Sequence, residues 1–247
     1  MSSDYNNNSI ESLGILGGVR AKPASVGIES NNHTFIEILA NSIDEARAGY
    51  GKKIIVKKHT DGSVSVIDFG RGVPMGKNKK GEYAYKKVFD ELWSGGKYNN
   101  NKVNGSSYEY SLGTNGLGAC ATNYTSDFFS VYSCKEEGKY SVSYKEGIEV
   151  KDSFKFEKKE NNESSLGTTI RWKPSDECFR GKGEIDDEFI ETTLHDQSIV
   201  NSGLKFIFIN EKINKEEHKE YYYERGVSEY LDSLTGEEDK LNDVTHF

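Results

Sequence analysis

The chain has 247 residues, 34% hydrophobic and 29% charged, with 25 glycines and 3 prolines. That composition excludes a collagen-like, membrane-spanning or wholly disordered polypeptide and predicts one large domain or two small ones. Its 40 acidic and 32 basic side chains leave a net charge of −8, which repels polyphosphate and disfavours direct DNA binding by this chain.

Cys120, Cys134 and Cys178 form no CxxC or His-Cys cluster, so neither a disulfide framework nor a zinc site is expected, and a reducing cytoplasm fits best. No apolar run approaches the roughly 20 residues of a membrane helix. The polar start, residues 1–9, lacks the apolar stretch of a secretory signal. A soluble, cytoplasmic protein with no membrane partner is expected.

Residues 1 to about 20 open Asn-rich and turn glycine-rich at Leu13-Gly14-Ile15-Leu16-Gly17-Gly18; such a segment buries little surface within its own length and reads as an arm. Between Asn32 and Ala48, Phe35, Leu39, Ile43 and Ala46 recur at the period of one buried helical face, and Gly49 and Gly51 end the helix. Two β-rich runs, residues 54–56 and 64–67, flank Thr60-Asp61-Gly62-Ser63 and predict an antiparallel hairpin. Residues 84–93 predict a short helix with Val88, Phe89 and Leu92 on one side, stopped by Gly95 and Gly96. Residues 94–115 follow as a long polar loop, a length at which loops commonly serve as lids or binding loops. A second hairpin is predicted at 128–134 and 140–144, with strands near 168–172 and 204–209 and a helix over 185–199 between them. Helices interspersed among antiparallel strands indicate an α+β fold, a two-layer sandwich.

Three constellations carry chemistry. Glu37, Asn41, Asp44 and Glu45 fall at i, i+4, i+7 and i+8, on a side roughly opposite Phe35 and Leu39. A solvated face would read the same way, and Thr34 and Glu37 stand at the interval of a capping box. The chemistry the face could perform is specific: a carboxylate can activate water one turn from an amide oxygen suited to a hard cation such as Mg²⁺. Second, Asp68-Phe69-Gly70-Arg71-Gly72-Val73-Pro74 follows a strand directly. Its glycines let backbone approach a flat ligand and Asp68 can accept from an exocyclic amine; an ordinary glycine turn is the alternative. Third, Ser111-Leu112-Gly113-Thr114-Asn115-Gly116-Leu117-Gly118 runs into a helix whose first N–H groups attract phosphate oxygens. It is neither a Walker loop nor a Rossmann fingerprint.

In this order the three resemble the GHKL (Bergerat) ATPases. Within them, Glu37-Ile38-Leu39-Ala40-Asn41-Ser42-Ile43-Asp44-Glu45-Ala46, Ser94-Gly95-Gly96-Lys97-Tyr98, Gly167-Thr168-Thr169 and Tyr223-Glu224-Arg225-Gly226 resemble the ATPase domain of type IIA DNA topoisomerases, of the kind found in DNA gyrase and topoisomerase IV. The resemblance covers nearly the whole chain. It implies an arm over 1–20 that dimerises on ATP binding, an ATP-binding domain over 21–225, and the start of a truncated transducer over 226–247. The chain is accordingly expected to be a fragment that turns ATP over slowly.

The resemblance also assigns residues. Glu37 would polarise the attacking water, and Asn41 would hold Mg²⁺. Asp68 would receive the adenine amine, with Gly72, Pro74 and Thr168 around the base. Asn115, Gly116, Leu117 and Gly118 would cradle phosphates, Lys97 would reach them from the lid, and Tyr5 would reach the nucleotide of a second copy. A topoisomerase A-type subunit and DNA would be engaged through regions absent from this chain. Ala40, Phe69 and Asn115 depart from the family's pattern. Glu136 falls near the position where bacterial members of the family often carry the arginine that contacts aminocoumarin inhibitors, so such drugs are implied as ligands and expected to bind weakly. The alternatives are an ATPase of the MutL or heat-shock chaperone kind, or a nucleotide-binding regulatory module without turnover.

Overall fold

The computed structural model describes residues 12–94, 116–159, 166–212 and 215–235. Where the sequence predicts an arm too rich in glycine to bury surface, Gly14–Ala21 forms a helix, α1. Its Val19 is buried against Cys120 and Tyr124, with Leu16 alongside. Arg20 explains why the segment docks: its guanidinium donates to the backbone oxygens of Tyr124 and Ser126 at 2.9 and 3.2 Å. Glycines at 14, 17 and 18 conceal the pattern, because, of its larger apolar side chains, Leu16 and Val19 turn toward the sandwich while Ile15 stays exposed.

Helix α2 (Asn31–Arg47) starts earlier than the capping-box reading places it. Ser30 is the N-cap, its hydroxyl accepting from the His33 amide, and Thr34 is already inside the helix. There the Thr34 hydroxyl donates to the Asn31 carbonyl and accepts from the indole N–H of Trp172, at 3.0 Å for the latter. Phe35, Ile38, Leu39 and Ile43 are each at most 1% exposed, as the periodicity requires; burial of such side chains is worth about 1.5–3 kcal/mol apiece. After Arg47, Gly49 and Gly51 take left-handed backbone and turn the chain into the sheet.

The expected hairpin is present as β1 (Lys53–Lys58) and β2 (Val64–Asp68), paired antiparallel from Ile54 opposite Asp68 to Lys58 opposite Val64. Helix α3 spans Ala84–Phe89, shorter than predicted, and buries Tyr85 and Phe89; Leu92 lies past its end and packs on the Val19 cluster. The predicted stop at Gly95 and Gly96 and most of the long polar loop lie outside the described residues. After α4 (Gly118–Tyr124) come β3 (Ser126–Cys134) and β4 (Gly138–Lys145), then the short strands β5 (Ile148–Glu149) and β6 (Lys155–Lys158). Strand β7 (Gly167–Pro174), α5 (Asp187–Val200), β8 (Lys205–Lys212), β9 (Lys215–Tyr221) and α6 (Val227–Leu234) complete the described chain.

The strands join in one nine-stranded sheet of order β5-β4-β3-β7-β2-β1-β8-β9, with β6 also on β4. All pairs are antiparallel except β1 with β8. The core lies between sheet and helices: Ile54, Val56, Val66, Phe129, Trp172, Phe206 and Phe208 from the strands meet the apolar stripe of α2 and Ile190 and Leu194 of α5. This is the two-layer α+β sandwich that the mixed element order predicts. Strand β9 is an edge strand whose sequence, Lys-Glu-Glu-His-Lys-Glu-Tyr, carries the charges that discourage further strand pairing. Among the described residues no helix is long and apolar enough to cross a membrane, and no cluster of His, Cys, Asp and Glu could hold a metal ion.

Candidate functional site

Helix α2 brings the first and second constellations together. Asp68, the last residue of β2, receives three donors: the Gly70 and Thr168 amides reach Oδ1 at 3.0 and 3.1 Å, and the Ser42 hydroxyl reaches Oδ2 at 3.2 Å. Thr168 lies near the start of β7, the strand that neighbours β2 in the sheet. Its hydroxyl accepts from the Val73 amide at 3.1 Å, so Thr168 ties the Asp68 end of β2 to the glycine turn. Burial pushes the Asp68 carboxyl above its ordinary range, and the hydrogen bonds from Gly70, Thr168 and Ser42 oppose that rise.

The turn itself is held from two sides. Gly72 has φ of +76°, and a Cβ there would stand 2.6 Å from the Cys134 carbonyl oxygen and 2.8 Å from the Ser133 hydroxyl. Glycine is therefore required both by backbone conformation and by space. Arg71 leans the other way, over the ring of Tyr50 at 3.8 Å, and forms a two-pronged ion pair with Glu45 at 2.7 and 3.0 Å. Burial alone would raise the Glu45 carboxyl; the hydrogen bonds and charge of Arg71 outweigh it and bring the carboxyl down. Pro74 follows Val73, whose carbonyl accepts from the Ser133 hydroxyl at 2.8 Å.

Of Glu37, Asn41, Asp44 and Glu45, only Asn41 fits the reading as an ordinary solvated face. Asp44 is 4% exposed, and Glu37 and Glu45 are only partly accessible, while Asn41 is exposed. The start of α4 covers Glu37: Gly118 approaches so closely that a Cβ there would collide with the Glu37 carboxylate. Burial raises the Glu37 carboxyl, against the lowering effect of His33. The Asn41 amide nitrogen donates to the Glu37 backbone oxygen at 3.0 Å. That bond engages the amide nitrogen one turn along the helix from Glu37, and the amide oxygen is a hard donor of the chemical kind that suits a cation.

Gly116 has φ of +58° and Leu117 is the N-cap of α4, with no side-chain capping hydrogen bond. Glu37, Asn41, Asp68, Gly72, Thr168 and Gly118 are thus linked through α2 and the elements that touch it. Tyr5, Lys97 and Asn115 lie outside the described residues. Ser42 and Arg71 are the residues to which sequence reasoning assigns no role. No local signal points to Ser42; its contact with Asp68 joins residues 26 positions apart. A separate polar cleft of about 780 Å³ lies at the N-terminal end of α2, lined by Asn31, Asp61, Lys173 and Glu184 among others, and contains none of these site residues.

The fold is a two-layer α+β sandwich, the architecture of the gyrase B 43K ATPase domain. The chain is homologous to the B subunits of topoisomerase IV across almost its entire length. It is 29% identical over 249 aligned residues to the B subunit of DNA topoisomerase 4 from Staphylococcus aureus strains MW2 and N315, an alignment covering 99% of this chain and 36% of each relative. The chain thus spans little more than a third of the length of these curated relatives. Among solved structures it matches the 43K ATPase domain of Thermus thermophilus gyrase B in complex with an aminocoumarin, with a TM-score of 0.72 and 26% identity over 94% of this chain and 59% of that one. No family model matches the chain.

Proposed function

We propose that this chain is the ATP-binding and ATP-hydrolysing domain of a type II topoisomerase B subunit, in which ATP-driven dimerisation gates DNA strand passage by the complete enzyme. The observation that carries the reading is the junction of a half-buried Glu37 beside Asn41 with the glycine start of α4. The same helix supports Asp68 through Ser42. Homology over 99% of the chain supports it independently.

In this reading Asp68 accepts the adenine amine through Oδ2, since Oδ1 is taken by two backbone amides. Gly72, Pro74 and Thr168 border the base. Gly116, Leu117 and Gly118, with Asn115, offer backbone N–H groups to the phosphates, and Lys97 adds a cation. Glu37 takes a proton from the attacking water; its raised affinity for protons, a result of burial, makes it a stronger base than an exposed carboxylate. Asn41 fits Mg²⁺ because its amide nitrogen is engaged by the Glu37 carbonyl and its oxygen is a hard donor. When bound, the ion neutralises charge on the triphosphate.

Tyr5 completes the nucleotide site of a second copy of the chain. Residues 1–20 serve as the dimerisation arm, 21–225 as the ATP-binding domain and 226–247 as the entry to a transducer. An A-type subunit and DNA are partners of the whole enzyme, which acts in the cytoplasm. Aminocoumarin-type compounds are ligands of the same site. The test is Glu37→Gln: phosphate release is lost while affinity for a non-hydrolysable ATP analogue stays within a few fold. Turnover at the parent rate would remove Glu37 from the chemistry.

A further inference from the structure

Ser42 is 5% exposed and sits on α2 directly after Asn41, with its hydroxyl 3.2 Å from Asp68 Oδ2. The opposite oxygen is already saturated by the Gly70 and Thr168 amides at 3.0 and 3.1 Å. A serine hydroxyl can donate or accept, whereas a carboxylate can only accept, so next to Asp68 the hydroxyl is forced to donate. Oδ2 then retains acceptor capacity, and nothing else, for whatever approaches from the site.

We infer that Ser42 is a positioning residue for base selection: its hydroxyl holds Asp68 as a pure acceptor and so favours a purine bearing a 6-amino group over one bearing a 6-oxo group. This rests on the reading of Asp68 as the base acceptor. The physical reason is a difference in what the two bases present. The amine donates into Oδ2, while an oxo group would set one acceptor against another and leave both desolvated. Without the serine, Asp68 is a buried carboxylate with one donor fewer. It then takes up a proton more readily, and a protonated Asp68 donates to an oxo group. The balance between burial and the three hydrogen bonds supports this, because Ser42 is one of the groups that oppose the upward push on Asp68.

Ser42→Ala removes the hydroxyl and little volume, and a thermal melt establishes that the variant is folded. The parent chain and the variant are each titrated calorimetrically with a non-hydrolysable adenosine triphosphate analogue and with its inosine counterpart. The parent chain prefers adenosine, and Ser42→Ala lowers that preference by about tenfold, the weight of one hydrogen bond to a charged group. Adenosine nucleotide binding weakens, while inosine nucleotide binding is kept or improved. Equal weakening of both nucleotides would mean that Ser42 acts only on packing, and an unchanged ratio would mean that it does not act on the base; either overturns the inference while leaving Asp68 as base acceptor. A parent chain that binds both bases equally would instead overturn the reading of Asp68, and this inference with it.

Discussion

Gly118→Ala separates folding from chemistry at one position. Gly118 opens α4 with ordinary helical backbone, so alanine suits the helix better than glycine, by up to about 1 kcal/mol. The added methyl cannot be accommodated where it points, however. Besides overlapping the Glu37 carboxylate, it would stand 2.8 Å from Glu37 Cδ and 3.0 Å from its Cβ. The cheapest response is rotation of the Glu37 side chain toward water, which also relieves the burial that raises its carboxyl. The two contributions to stability nearly cancel, and the folded state changes by no more than about 1 kcal/mol. The carboxylate moves by about an ångström or more, and misplacement on that scale costs about 100-fold in rate. Urea denaturation and single-turnover phosphate release measure the two effects side by side. Phosphate release within about threefold of the parent rate would refute the argument that Gly118 sets the position of Glu37.

Two further changes test other parts of the account. Asp90, at the end of α3, is pushed up to about 6 chiefly by burial, with the charge of Glu149 adding to the rise, while Tyr144 and Lys86 oppose it. Because the folded state binds this proton more tightly than the unfolded chain, stability falls as pH rises from about 4 to about 6 and is level above. Asp90→Asn abolishes that fall and stabilises the protein near neutral pH by about 1 kcal/mol after allowance for partial exposure; thermal melts at both ends of the window would count against this if the variant followed the parent curve. Thr34→Val keeps the shape of the side chain but leaves the Trp172 indole N–H without its acceptor in the core. It costs about 1–3 kcal/mol in urea denaturation, and an unchanged midpoint would show that the bond contributes nothing.

The parts of the fold legible in the sequence are those with a strong period. The stripe of Phe35, Leu39 and Ile43 and the β-rich runs at residues 54–56 and 64–67 appear as α2, β1 and β2 with small shifts at their ends. Elements without a buried period are not legible. Strand β9 is almost wholly charged and exists because β8 offers it an edge, β6 is exposed throughout, and α1 hides its few contacts among glycines. The start of α2 is ambiguous in the sequence because both Ser30 and Thr34 are residue types that cap helices; the tryptophan 138 positions away, which claims the Thr34 hydroxyl, is invisible locally.

The site divides in the same way. The residue types of Glu37, Asn41 and Asp68 suggest their chemistry. That Gly118 presses on Glu37, that Ser42 faces Asp68 and that Arg71 grips Glu45 depends on long-range packing. The first and last of these also explain why Glu37 and Glu45 are not simply solvated.

Calorimetric titration of this chain with a non-hydrolysable ATP analogue and Mg²⁺, with Asp68→Asn alongside, tests the central claim most directly. The substitution keeps an oxygen for the Gly70 and Thr168 amides but sets an NH₂ group where the base amine must donate. Saturable binding by the parent chain, weakened by about tenfold or more in the variant, is the result this account predicts. Absence of binding, or equal affinity in both proteins, would contradict it.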